Sequence, residues 1–177
     1  MEAKKDIVPY EQAALVDQFL IDEFAKKLTD EFYQIAIQGE SAIRQKIQSV
    51  TDYINDLIAR GIAKECDWDA ITTHHFAPSI YIREVHIQKD QLVVGKIHKY
   101  DHWNYILKGS VFVVTKDGAI RYEAPVHMLT TAGTQRLLYT HEDTIWVVIH
   151  PNPTDTHDLK KIEEEHIAKD FADFPLK

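Results

Sequence analysis

Two histidines four residues apart, His98 and His102, are the residues of this chain with the clearest capacity for chemistry. They lie in the segment Lys96-Ile97-His98-Lys99-Tyr100-Asp101-His102-Trp103-Asn104, in a chain that carries 10 histidines. Tyr100-Asp101 has the pattern of a bend between two strands, so both imidazoles are expected at adjacent strand ends. Neutral imidazoles that converge there suit Zn, Fe, Ni, Cu or Mn. The alternative is a partly buried pair held in a cleft by hydrogen bonds, without a metal.

The elements that must position this pair are short strands between about residues 71 and 151. Apolar and β-branched runs recur there between turn signals, and Lys116-Asp117-Gly118 predicts a hairpin. Such spacing is typical of an antiparallel sandwich or barrel. The predicted strands cover residues 81–87, 92–98, 103–107, 111–115, 120–123, 127–131, 136–139 and 144–150. The last of these has two apolar faces, so the pattern does not show which way His150 points.

Helical spacing flanks this β region. From about Glu11 to Arg60 the apolar residues recur every three or four positions, which predicts two helices. The first carries Val16 to Ile35; the second carries Ile43 to Leu57, with Ser41 as N-cap and Gly61 as the C-terminal stop. This second apolar seam can pack on the same chain or on a second copy. The predicted division is a helical extension (1–62), a β-barrel (63–152) and a C-terminal helix and tail (153–177).

The C-terminal segment, residues 155–168, has few apolar positions. We therefore expect its helix to lie on the surface of the protein. Its two histidines, His157 and His166, are expected to be solvated.

In strand pattern and motif spacing the β region resembles the cupin superfamily. The family's first motif is G-x5-H-x-H-x3-4-E-x6-G, and its second is G-x5-P-x-G-x2-H-x3-N. With Gly109 as the closing glycine of the first motif, His98 falls on the second histidine position, His102 on the glutamate position and Lys96 on the first histidine position. Gly133 matches the second motif and places Arg136 on its histidine position. The resemblance implies a mainly β fold with flanking helices: a cupin-type antiparallel barrel, or jelly roll.

The resemblance also implies a divalent metal, Fe, Mn, Ni or Zn, inside the barrel. Two cationic side chains at ligand positions would repel such an ion, and Arg136 cannot lose its proton. The predicted metal ligands are therefore His98 and His102, with His127 as the substitute third ligand. The predicted ligand-binding residues are Lys96, Asn104, Arg136 and His150. The two cations, Lys96 and Arg136, are expected to share one cavity and to favour an anionic small molecule.

Two functions from different classes follow. One is a metal-binding cupin-type protein acting as a dioxygenase, isomerase or lyase on a small anionic or sugar-like substrate. The other is a non-catalytic scaffold or binding module. Degenerate cupin-like chains of this build are similar to proteins of tailed bacteriophages, which implies an accessory or virion-associated role in the host cytoplasm or the virion.

Composition excludes several other classes. A formal net charge of −8 disfavours general nucleic-acid binding. The single cysteine, Cys66, cannot form an internal disulfide, which suits a reducing compartment such as the cytoplasm. The sequence contains no G-x-S-x-G, glycine-rich phosphate loop or apolar run of membrane-spanning length, so no membrane partner is expected. Exposed strand edges and the apolar seam from Ile43 to Leu57 predict a homo-oligomer.

Overall fold

A 20-residue apolar-faced helix and thirteen strands account for most of the part of the chain that is described, seen here in a computed structural model. The structure describes residues 12–15, 31, 35 and 39–171. Most of the first predicted helix, from Val16 to Ile35, lies outside these residues. Within the region expected to be helical from Glu11, strand β1 (Gln12–Leu15) pairs antiparallel with two other strands, so the helical prediction is wrong there.

The second predicted helix is confirmed as α1 (Glu40–Ala59). Its five seam residues are all buried: Ile43, Ile47, Val50, Ile54 and Leu57. The N-cap is Gly39, and not Ser41 as predicted, so the helix begins slightly earlier than expected. Gly61 follows the helix with a φ of +70°, the left-handed conformation that ends helices and that glycine adopts without strain.

Two large antiparallel sheets form the β part of the described chain. The first, called sheet A, has the strand order β2-β1-β5-β11-β8-β9, and the second, sheet B, has the order β10-β7-β12-β4-β3. The further members of sheet A are β2 (Lys64–Glu65), β5 (Leu92–Val94), β8 (Ser110–Thr115), β9 (Gly118–Glu123) and β11 (Leu137–Thr140). Sheet B contains β3 (Thr72–Ala77), β4 (Ser79–Ile87), β7 (His102–Lys108), β10 (Val126–Thr130) and β12 (Thr144–Asn152).

The inner faces of the two sheets pack on each other. Val93, Val111, Val113 and Leu138 from sheet A form one apolar cluster with Val85, Ile106, Trp146 and Val148 from sheet B. The outer face of sheet A forms a second cluster with helix α1. The seam of α1 therefore packs within its own chain. This topology confirms the antiparallel β fold of the jelly-roll type with flanking helices.

Short elements complete the fold. Helix α2 (Trp68–Ile71) precedes β3, and helix α3 (Leu159–His166) follows β12. Two short strands, β6 (Ile97–His98) and β13 (Ile167–Ala168), pair with each other and attach the end of α3 to the barrel. The predicted strand over 92–98 is thus divided between β5 and β6. Among the helices described here, none is both long and apolar enough to span a membrane.

Gly109, the residue that aligned the first motif, has a local structural reason to be glycine. It lies between β7 and β8 with a φ of +93°. A Cβ atom added there would come within 2.5 Å of the backbone oxygen of Asp143. The turn that starts β8 therefore excludes any side chain at this position.

Candidate functional site

Four histidines from four separate elements meet at one end of the barrel. They are His98 on β6, His102 on β7, His150 on β12 and His166 at the end of α3. The ring centroids of His98 and His102 are 4.0 Å apart, and each is 5.2 Å from that of His150. The His166 ring is 4.7 Å from the His150 ring. All four side chains are buried. We call these four residues the histidine cluster.

The alternation of side chains along the paired strands β7 and β12 explains why His102 and His150 converge. Side chains alternate along a strand, so His102 and Asn104 share the inner face of β7, as predicted. On β12, His150 shares the inner face of Trp146 and Val148, while Ile145 and Ile149 point outward. The direction of His150, which the sequence left open, is therefore decided by which face of sheet B packs on sheet A.

His166 is the member that the sequence missed. It was expected to be solvated, but it is only 3% exposed. Ile167, the next residue, pairs with His98, and the backbone oxygen of His166 accepts a hydrogen bond from the Lys99 N–H at 2.8 Å. The available signal was the spacing of Ile162 and His166, which places both on one face of α3. Ile162 is buried as well.

Hydrogen bonds fix the tautomers of two of these rings. His166 donates its Nε2–H to the backbone oxygen of Pro151 at 2.9 Å, because a carbonyl can only accept. Its Nδ1 therefore carries a lone pair, and this atom is buried without a hydrogen-bond partner. His102 donates its Nδ1–H to the backbone oxygen of Tyr100 at 3.0 Å. Nδ1 of His98 is also buried without a partner.

The environment keeps the histidine cluster neutral. Burial is the main cause that lowers the pKa of His102 to about 4 and that of His150 to about 2. Burial also holds the pKa of His98 well below its usual value, with the neighbouring His102 adding to the effect. The pKa of His166 is lowered in the same direction, again mainly by burial. At neutral pH each ring thus keeps one nitrogen without a proton, and that nitrogen can act as a ligand.

A cavity of about 530 Å³ opens onto three members of the cluster, His98, His150 and His166. Lys96 also lines this cavity, as predicted, but its Nζ lies 3.1 Å from the carboxylate of Glu163 on α3. The two charges offset each other. The expected bias of this cavity toward anions therefore does not follow from Lys96.

Arg136 lines a different space. Its guanidinium lies 3.5 Å from Nε2 of His102 and 5.5 Å from the Trp146 ring centroid, inside the barrel. It borders a second pocket of about 150 Å³, whereas Lys96 borders the larger cavity. The prediction that Lys96 and Arg136 share one cavity is thus wrong. Burial lowers the pKa of Arg136 to about 10, which leaves it protonated at neutral pH.

Asn104 is committed to the protein itself. It is fully buried, and its carbonyl oxygen accepts a hydrogen bond from Trp146 Nε1 at 3.0 Å. Its amide nitrogen donates to Thr130 Oγ1 at 2.9 Å. These bonds join β7 to both of its neighbours in sheet B. Asn104 therefore stabilises the interior of the barrel. It was predicted to bind a ligand, but it lines neither the larger cavity nor the pocket beside Arg136.

His127, the predicted third metal ligand, lies on the outer face of sheet B, away from His98 and His102. It is exposed, and its ring lies 5.7 Å from those of Trp103 and Tyr105 on the outer face. Its neighbours in β10, Met128 and Thr130, pair with the inward residues Asn104 and His102. The alternation of side chains therefore separates His127 from His98 and His102.

The chemistry of the cluster fits a transition metal, although its present arrangement does not form a finished site. Neutral imidazoles are good ligands for Zn, Fe, Mn and Ni, and two buried ring nitrogens lack partners. Within residues 39–171, however, no three His, Cys, Asp or Glu side chains are grouped closely enough to hold an ion. The rings of His98 and His150 are stacked with 12° between their planes. Metal binding would thus require these side chains to turn.

No protein-family model and no curated protein sequence matches the chain. Several solved structures align with about half of the chain. A cupin-2 domain containing protein from Shewanella frigidimarina aligns with 45% of this chain and 80% of its own, at 13% identity and a TM-score of 0.38. KdgF from Halomonas sp. aligns with 50% of this chain and 81% of its own, at 15% identity and a TM-score of 0.40.

A third structure, the plu4264 protein from Photorhabdus luminescens, aligns with 56% of this chain and 96% of its own. Its identity is 7% and its TM-score is 0.42. Likenesses at this level concern the fold and say nothing about activity. The three alignments cover between 45% and 56% of this chain.

Proposed function

We propose that this protein is a small-molecule-binding barrel whose larger cavity carries a first-row transition metal on His98, His150 and His166. One observation carries the proposal: buried ring nitrogens of His98 and His166 have no hydrogen-bond partner. A buried polar atom left unpaired costs about 1–3 kcal/mol. A bound cation is one of the few ways to recover that cost at two neighbouring imidazoles.

The second ring nitrogen of His166 supports the same proposal. Metal-binding histidines usually donate their other N–H to a carboxylate or a backbone carbonyl, which fixes the ring and its tautomer. His166 has this arrangement through Pro151, with Nδ1 left as the donor atom. His102 is a weaker candidate ligand, because the guanidinium of Arg136 lies beside its Nε2.

A metal in this position would act as a Lewis acid toward a carbonyl group of a bound substrate or toward a water molecule. The cavity of about 530 Å³ is within the range of small-molecule sites. His98, His150 and Tyr81 line it and would contact such a molecule. Isomerase or lyase chemistry on a small organic molecule is the resulting class of activity, and dioxygenase chemistry would require the metal to be redox-active, such as Fe, with dioxygen as co-substrate.

A non-catalytic binding module is the second candidate. Its specific support is that the described residues hold no ready-made metal group. In this case the histidine cluster would form a neutral, polar part of the cavity wall that contacts the ligand. A role as a phage accessory or virion-associated protein belongs to this candidate.

Metal analysis of protein purified without a histidine tag tests the choice. We expect about one equivalent of Fe, Mn, Ni or Zn in the wild type, and a loss of at least tenfold in His98→Ala and His166→Ala. His127→Ala is the matched control, because His127 is an exposed histidine of the same barrel. Equal metal content in the wild type and in the double variant at 98 and 166 would overturn the metal proposal and leave the binding module.

We also propose that the protein forms a homo-oligomer, but through sheet B and not through the seam of α1. The outer face of sheet B exposes Trp103 by 45%, Leu107 by 53% and Leu129 by 51%. Contiguous exposed apolar side chains are a feature of self-association surfaces. Light scattering should give a mass above that of one chain for the wild type and a lower mass for Trp103→Glu.

A further inference from the structure

The second pocket lies against Arg136 and is separate from the histidine-lined cavity. Its volume is about 150 Å³, and it is bordered by β8, β9, β10 and the segment from Thr131 to Arg136. Its polar border consists of Thr115, Asp117, Tyr122, Thr130, Thr131, Thr134 and Arg136. The carboxylate of Asp117 is mostly exposed and is paired with Lys116 Nζ at 3.2 Å. A water molecule occupies about 30 Å³ of liquid volume. The pocket therefore has room for a group of about four or five heavy atoms.

Within the described part of the chain, no carboxylate forms an ion pair with Arg136, and the one carboxylate at the pocket, Asp117, pairs with Lys116. Arg136 is 8% exposed, and its guanidinium lies against the neutral ring of His102 and the face of Trp146. Neither carries a negative charge. A buried guanidinium is normally found with a carboxylate or another anion, because its desolvation is otherwise unfavourable.

The threonines next to Arg136 have hydroxyl protons available for a ligand. Thr130 Oγ1 accepts a hydrogen bond from Asn104, so its own proton can be donated elsewhere. The hydroxyls of Thr131 and Thr134 lie 3.2 Å apart, so one donates to the other and one proton remains. A guanidinium fork together with hydroxyl donors is the donor set that binds oxyanions with directed hydrogen bonds.

We propose that this pocket is a binding site for a small oxyanion, a carboxylate or a phosphate group, held by Arg136, Thr130 and Thr134. The site does not depend on a metal in the histidine cluster. The formal net charge of the chain is −8, so general attraction of anions does not explain such binding. The local donors must provide it.

The test uses the full chain after removal of metal by a chelator, so that its outcome is independent of the proposed metal. Isothermal titration with sodium phosphate and with sodium acetate, at constant ionic strength in chloride, should show saturable binding of at least one of them. Which of the two binds identifies the ligand as a phosphate or a carboxylate. Absence of saturable binding by both would overturn the proposal.

Three variants locate the site. Thr134→Val keeps the shape of a buried side chain and removes its hydroxyl, and should weaken anion binding about tenfold. Arg136→Gln should abolish it. Lys96→Met, on the larger cavity, is the control and should leave the dissociation constant unchanged. Binding that is lost in Lys96→Met but kept in Thr134→Val and Arg136→Gln would assign the anion to the larger cavity and overturn the proposal.

Discussion

The two faces of sheet A differ in what they bury. Its outer face, through Leu92, Val94 and Val114, packs on the apolar seam of α1, and every buried member of that cluster is hydrophobic or aromatic. Its inner face is apolar at Val93, Val111 and Val113 but ends in the guanidinium of Arg136, next to the histidine cluster. The same strands therefore stabilise the fold on one side and hold polar groups on the other.

This difference separates stability from function. An apolar layer gains free energy from each methyl group that it removes from water. Buried imidazoles and a guanidinium gain nothing comparable unless they bind a partner. The polar end of the barrel is therefore the part of the molecule whose cost is best explained by a ligand. The following experiments test that contrast, from the largest expected effect to the smallest.

Truncation in the layer under α1 should have the largest effect on stability. Ile47 is 1% exposed, and Ile47→Ala should lower the free energy of unfolding by about 2–5 kcal/mol. Urea denaturation followed by circular dichroism measures this change. Gln45→Ala, on the exposed face of the same helix, is the control and should stay within about 0.5 kcal/mol of the wild type. Equal losses in both variants would mean that the helix does not pack as described.

Removal of the amide inside the barrel should cost less. Asn104→Ala leaves the indole N–H of Trp146 and the hydroxyl of Thr130 without their partner, which should cost about 2–4 kcal/mol in the same measurement. Trp146→Phe breaks only one of these bonds but also shortens a buried side chain of the apolar cluster, so its loss combines both effects. A loss below about 0.5 kcal/mol for Asn104→Ala would show that water replaces the amide and that the interior is open.

Acid should destabilise the metal-free protein through its buried histidines. The pKa of His102 is about 4 when folded and about 6.5 in an unfolded chain, so the unfolded state binds more protons between these values. Stability is therefore retained above pH 6.5 and falls as the pH is lowered toward 4. At pH 5, His102 alone accounts for a loss of about 2 kcal/mol.

The matched variant for this pH effect is His102→Gln, which cannot titrate. The loss of stability between pH 7.5 and pH 5 should be about 2 kcal/mol smaller in His102→Gln than in the wild type. Urea denaturation of both proteins at the two pH values measures it. Identical pH dependence in the two proteins would contradict the burial of a neutral imidazole at this position.

Substitution on the outer face of sheet B should have the smallest effect. His127 is exposed, and His127→Ala should change the free energy of unfolding by less than about 0.5 kcal/mol. Thr130, which points inward on the same strand, is 5% exposed and hydrogen-bonded to Asn104, so Thr130→Val should cost more. A larger loss of stability in His127→Ala than in Thr130→Val would mean that His127, and not Thr130, points into the barrel.

The sequence by itself determined the fold class, most strands between residues 81 and 150, the helix from Ile43 to Leu57 and the closeness of His98 to His102. These properties depend on local patterns: apolar spacing, turn residues and the alternation of side chains along a strand. The same alternation placed Asn104 beside His102 on the inner face. It could not give its role, since the two partners of its amide lie on neighbouring strands.

Only the tertiary structure decided the composition of the site. In β5, β8 and β11 both faces are buried, so apolar residues occupy consecutive positions in these strands. Their pattern does not distinguish the barrel interior from the face under α1. The direction of His150 depended on sheet packing, and the arrival of His166 depended on the pairing of β13 with β6. Lys96 and Arg136 line different cavities because the residues that they contact are distant in the sequence. Lys96 contacts Glu163 on α3, whereas Arg136 contacts Trp146 and His102.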